Sequence, residues 1–125
     1  TDINYGNHVG NDSVLSLIHE ARVKFLQHLG LSELEFAGVS LIMSDVAIDF
    51  RSEIVYGDDV EVRVTAGETG KVNFDLIYQL CIIKEGKTKI AANARTGMVC
   101  YDYNAKKIKP IPEIALKLLK PETSD

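Results

Sequence analysis

The stretch DSVLSLIHEARVKFLQHLG, residues 12–30, decides the fold. Val14, Leu15, Leu17, Ile18, Ala21, Phe25, Leu26 and Leu29 follow one another mostly at helical spacing, which predicts an α-helix. Asp12 or Ser13 can cap its start with a side-chain oxygen, and Gly30 can end it in a left-handed conformation. The apolar set covers more than half of the helix circumference, so a long central helix, largely wrapped by other structure, is expected.

Working outward, TDINYGNHVGN at 1–11 is polar and glycine-bearing and reads as a loop rather than as a strand. Beyond the helix, residues 39–103 read as β-structure in four segments, about 40–51, 59–67, 72–84 and 88–101. The separators are YGDD at 56–59, GETGK at 67–71 and KEGK at 84–87, and the last two are short enough for antiparallel hairpins. Val60, Val62 and Val64 share one face while Glu61 and Arg63 take the other, so the sheet has a dry and a wet side. After Asp102, NAKKIKPIPEIALKLLK predicts a proline-bounded turn and a short amphipathic helix, with a fraying PETSD.

One apolar helix followed by four antiparallel strands packs most economically when the sheet curls around the helix. The expected class is therefore α+β, with residues 1–125 forming a single domain. A curled sheet leaves an edge strand whose backbone groups lack partners, and pairing with a twin subunit satisfies them, so a homodimer or homotetramer is expected.

The bulk composition narrows the partners. Hydrophobic residues are 46% of the chain and charged residues 26%, ordinary values for a folded domain. The net charge of -4 gives no global attraction to nucleic acid or to an anionic membrane, so an anionic ligand has to be held locally. Cys81 and Cys100 sit in apolar runs without ligands at metal spacing and read as buried free thiols of a reducing compartment. No apolar run reaches the ~20 residues of a membrane span. With no signal-peptide layout at residue 1, a cytoplasmic location is expected.

The segment DINYGNHVGN at 2–11, followed by HEAR at 19–22, resembles the signature of the 4-hydroxybenzoyl-CoA thioesterase-like hotdog family, close to D-x-D-x-x-G-H-V-N-N and then a helix carrying E-A-R. Asp2, His8, Val9, Asn11, Glu20, Ala21 and Arg22 fall at matching positions. YGDDVEVRV at 56–64 and ARTGMVCYD at 94–102 are similar to later strands of that family. The resemblance implies a hotdog fold, an antiparallel sheet around a central helix, and hydrolysis of an acyl-CoA or acyl-carrier-protein thioester with CoA as part of the substrate and no further cofactor. It also implies that a first strand, leading into the Asp2 loop in relatives, is lacking here. Three positions depart from the pattern: Asn4 replaces the second aspartate, Gly6 stands one place early, and Gly10 replaces the first asparagine of the N-N pair.

Thioester hydrolysis needs donors for a developing oxyanion and a group that activates water. Gly10, Asn11 and Asp12, at the entry to the helix, are the candidate substrate-binding residues, and the resemblance assigns the carbonyl to the backbone of Asn11. The catalytic candidates are Asp2, Asn4, His8 and Glu20. Asn4 can orient water but cannot take its proton. Each has a plainer use: Asp2 and His8 can fix the loop by hydrogen bonds, and Glu20 can pair with Lys24 or Arg22. His19 and His28 lie nine residues apart and receive no role, and no metal site or nucleophile-elbow serine is expected. Arg51, Lys71, Lys89 and Arg95 are candidate phosphate partners. The competing functions are a non-catalytic acyl-thioester binder and, further from the motif, a hotdog dehydratase.

Overall fold

A computed structural model of the chain describes residues 2–8 and 14–120, the side chains of residues 4–8 excepted. The elements in chain order are β1 (Asp2–His8), α1 (Val14–His28), β2 (Ser40–Phe50), β3 (Asp58–Thr69), β4 (Asn73–Lys84), β5 (Lys87–Asp102), β6 (Lys107–Ile108) and α2 (Glu113–Leu119). The sheet order is β1-β3-β4-β5-β2, antiparallel throughout, with β6 added beside β5. The four segments expected between residues 39 and 103, and the short helix after the prolines, are present.

Two expectations need correction. Residues 2–8 are a strand and not a loop: β1 pairs with β3 from Asp2 opposite Arg63 to His8 opposite Asp58, with an irregularity between Tyr5 and His8. Local composition disfavours a strand here, but the open ladder of β3 supplies partners for the backbone, and tertiary pairing wins. Asp2–His8 itself occupies the edge of the sheet beside β3.

The second correction concerns the helix. At 15 residues α1 spans about 22 Å, one of two short helices among the described residues rather than a long rod. It is covered on one face only: Val14, Leu17, Ile18, Ala21, Phe25 and Leu26 are buried, while Leu15, His19, Glu20 and Gln27 are exposed. Leu15 widens the apolar stripe in sequence but projects outward. Each fully buried Leu17, Ile18 or Leu26 contributes ~1.5–3 kcal/mol relative to exposure.

The helix ends where Gly30 was expected to stop it. Gly30 has φ +78°, its N–H donates to the Gln27 carbonyl at 2.9 Å, and Leu31 N–H donates to the Leu26 carbonyl at 2.8 Å. This pairing satisfies two terminal carbonyls and seats Leu31 against the core.

The inward row of the sheet, Val60, Val62 and Val64 of β3, Phe74, Leu76, Tyr78 and Leu80 of β4, and Ala92, Ala94 and Met98 of β5, forms the floor on which α1 lies. Arg22 is buried on that apolar seam. Its Nε donates to Glu33 Oε1 at 2.5 Å, its Nη1 to the Tyr78 hydroxyl at 3.4 Å, and its Nη2 to His19 Nδ1 at 3.1 Å. Tyr78 shares a 2.7 Å hydrogen bond with Thr96 Oγ1. Burial alone would depress the guanidinium pKa, but the bonds to Tyr78 and Glu33 outweigh it and the pKa is raised. The network ties α1 to the connection leading into β2 and to the two central strands.

On the outer face, Arg95 of β5 donates to Asp45 of β2 and, at 3.1 Å, to Asp75 of β4, bridging three strands. Hydrogen bonding from Arg95 holds the Asp45 carboxyl below its ordinary pKa.

Arg22 is buried but Glu33 keeps access to water, so Arg22→Met, which removes the charged hydrogen bonds and leaves no buried carboxylate behind, is expected to lose about 2 kcal/mol of stability in urea denaturation. Tyr78→Phe, which removes the hydroxyl's hydrogen bonds with Arg22 and with Thr96, is expected to cost about 2 kcal/mol. Both thiols are buried, and burial pushes Cys100 up to about 11 and Cys81 above the ordinary thiol value. A thiol-reactive chromogen at pH 8 is therefore expected to label neither in the native protein and both in denaturant, and rapid native labelling would contradict this packing.

Candidate functional site at the amino end of α1

The direction of α1 follows from its neighbours. Phe25, His28 and Leu29, at its carboxyl end, border a cleft with Val64, Thr65 and Ala66 of β3. His8, six residues before Val14, lies opposite Asp58 at the start of β3. The helix therefore starts at the Asp58 end of the sheet and runs toward the Ala66 end, and its positive dipole end belongs to the former.

That same end holds a cleft of about 530 Å³. It is framed by the β4–β5 hairpin with Lys84, Glu85, Lys87 and Lys89, and by Glu53, Val55 and Asp58 before and at the start of β3. The hairpin turn has φ +53° at Glu85 and +74° at Gly86, the two positive values of a type I′ turn, and it sets Lys84 directly opposite Lys87. Lys89 pairs with Ile82, whose side chain is in the core, so the three lysines line the helix side of the sheet. Asp58 Oδ2 accepts from the Val55 N–H at 2.8 Å, which locks the approach to β3.

The candidates read from the sequence spread along this region. Asp2 and His8 stand at opposite ends of β1, about 20 Å apart along an extended strand, and Asn4 lies opposite Glu61. Only His8 is at the α1 entry end. Glu20 is exposed on the outward face of α1, roughly 9 Å along the axis from Val14. Arg22 engages Glu33 and not Glu20. Gly10, Asn11 and Asp12 lie outside the described residues.

The phosphate candidates sort clearly. Arg95 is held by Asp45 and Asp75 on the outer face, and Arg51 pairs with Asp49 at 2.9 Å. Lys71 sits in the β3–β4 turn at the far end, where its carbonyl accepts from the Ile111 N–H. Lys89 alone of the four borders the cleft. Lys84 and Lys87 were read only as turn flanks; the signal was a lysine on each side of a two-residue turn. Glu33 was likewise missed as the partner of Arg22, because it lies in an irregular connection with no periodic pattern.

Among the described residues, no helix is long and apolar enough to cross a membrane. The fold is shared with solved structures. A 1,4-dihydroxy-2-naphthoyl-CoA thioesterase from Synechocystis is 20% identical with a TM-score of 0.77, covering 95% of this chain and 96% of its own. An aspartate-to-asparagine variant of 4-hydroxybenzoyl-CoA thioesterase in complex with 4-hydroxybenzoyl-CoA is 12% identical with a TM-score of 0.82, covering 96% and 98%. A Staphylococcus aureus protein in complex with CoA is 16% identical with a TM-score of 0.78, covering 98% and 87%. At these identities the likeness establishes the hotdog fold. No curated protein matches the sequence significantly. The model of the thioesterase-like superfamily matches residues 1–119, nearly the whole chain, and the chain belongs to that superfamily.

Proposed function

We propose that this chain hydrolyses an acyl-CoA thioester to the free acid and CoA, with the carbonyl oxygen held at the amino end of α1. The observation that carries the reading is the superfamily match over residues 1–119, on a fold whose half-buried helix starts at the same end of the sheet as a lysine-lined cleft. A helix start offers N–H groups without intrahelical partners and a partial positive charge, which suit the oxyanion formed when water adds to a thioester. Gly10, Asn11 and Asp12 precede that start in sequence and are assigned to the carbonyl, Asn11 through its backbone.

Water activation is assigned to Glu20 or Asp2, with Asn4 orienting the water and His8 as a further proton-transfer candidate. Glu20 is preferred over Asp2 because its side chain is exposed on α1 and neighbouring Arg22 is occupied by Glu33. The named substrates of two structural neighbours are aryl-CoA thioesters, which supports aromatic acyl groups ahead of fatty ones. A second reading, a binder that does not hydrolyse, is favoured by the amide at Asn4; the neighbour's aspartate-to-asparagine variant was captured with its thioester bound.

A second copy of the chain is assigned to the free edge of β2. Among the described residues that strand pairs only with β5, and Met43, Val46 and Phe50 lie exposed on its helix side, opposite buried Met98, Thr96 and Ala92. An 11-residue edge strand that exposes apolar side chains on one face invites pairing unless it is covered.

Incubation with a panel of aryl- and fatty acyl-CoAs is expected to release thiol, and Glu20→Gln is expected to lower kcat by about a hundredfold or more, the scale of a lost general base. Release abolished by Asn4→Ala alone would move the chemistry to Asn4, and binding without release would establish the binder. Light scattering is expected to give twice the chain mass or a multiple of it. Val46→Lys is expected to shift the protein toward monomer, and a wild-type monomer at micromolar concentration would overturn the assignment.

A further inference from the structure

We infer that the cleft between the β4–β5 hairpin and residues 53–58 is a nucleotide subsite: Lys84, Lys87 and Lys89 take the phosphates of the coenzyme, and the carboxylates and apolar floor take its nucleoside. The inference deepens the acyl-CoA reading by naming the part of the substrate that a single chain holds.

The first observation is electrostatic. Lys84 and Lys87 are directly opposed on one face of a hairpin, with Lys89 two residues further on that face. Like charges directly opposed across strands destabilise the pair, and here the arrangement occurs in a chain of net charge -4. Among the described residues none of the three lysines forms an ion pair, although Glu53, Asp58 and Glu85 border the same cleft. Three ammonium groups on one face, none of them engaged in an ion pair among the described residues, can bind a multiply charged anion.

The second observation is the mixed lining. A simple anion is ill served by a cleft that also carries three carboxylates. A nucleotide is well served, because its phosphates accept from lysines while its ribose hydroxyls and exocyclic amino group donate to carboxylates. Val55 and Ile82 offer apolar surface for a base, and about 530 Å³ lies within the range of small-molecule sites. The third observation is position: the cleft is at the end of the sheet where α1 begins, so a pantetheine arm leaving it starts on the side of the proposed carbonyl site.

The test uses adenosine 3′,5′-bisphosphate as probe together with two thioesters of one acyl group, one on CoA and one on N-acetylcysteamine, which lacks the nucleotide. The triple substitution Lys84→Gln, Lys87→Gln, Lys89→Gln is expected to weaken binding of the bisphosphate, and to raise KM for the CoA ester, by at least about tenfold. KM for the N-acetylcysteamine ester and kcat for both esters stay unchanged. The fold is retained because cross-strand repulsion is relieved, which a melting temperature no lower than wild type checks. Unchanged bisphosphate affinity in the folded variant, or equal rises in KM for both esters, overturns the subsite. If the wild-type chain binds the bisphosphate through these lysines and cleaves neither ester, the subsite stands and the hydrolase reading falls.

Discussion

The seating of one face of α1 on the inward row of the sheet is the constraint from which the rest follows. Leu17, Ile18, Ala21 and Leu26 lose essentially all contact with water against the floor formed by Val60, Val62, Val64, Tyr78 and Leu80. Because alternate side chains of a strand point to opposite faces, this burial fixes which residues of β3, β4 and β5 look inward. It also fixes where the two helix ends lie, and with them the end of the molecule that carries positive dipole. The Arg22 network on the same seam gives the packing a direction that aliphatic contacts alone lack, since its hydrogen bonds to Glu33 and Tyr78 are satisfied in one geometry only.

Much of this frame was legible in the sequence, and what was not has physical reasons. The helix bounds followed from apolar spacing and from Gly30, whose left-handed conformation is found as expected. The strands β2 to β5 were marked by turn residues, and the Lys84–Lys87 turn adopts the mirror-image geometry that a two-residue hairpin needs. β1 was missed because Asn4, Gly6 and Asn7 are poor strand formers; only the waiting edge of β3 makes Asp2–His8 a strand, and that edge is invisible to a local reading. The wrapped helix was overstated because Leu15 is apolar but outward, and periodicity cannot tell an exposed leucine from a buried one.

The site divides the same way. A signature at 2–11 and 19–22 pointed to the entry of α1, and the chain direction puts His8 there. Sequence spacing could not say that β1 is extended, which carries Asp2 to the opposite end of that strand. Nor could it say that a hairpin more than sixty residues downstream brings basic groups to the same end of the sheet. That Lys84 and Lys87 lie at the same sheet end as the start of α1 depends on strand register, a property of paired strands rather than of any one segment.

The tightness of the Glu85–Gly86 turn carries a consequence for how this protein can vary. With two residues in the loop and both backbone angles positive, the pairing of the flanking strands admits no slack. One inserted residue that shifted the pairing of β5 would swing its basic prongs to the back of the sheet and bring outward-facing neighbours to the front. Loop length at this point is thus under a parity rule: the strand pairing tolerates a change of side chain at position 85 far more readily than a change in the number of residues around it.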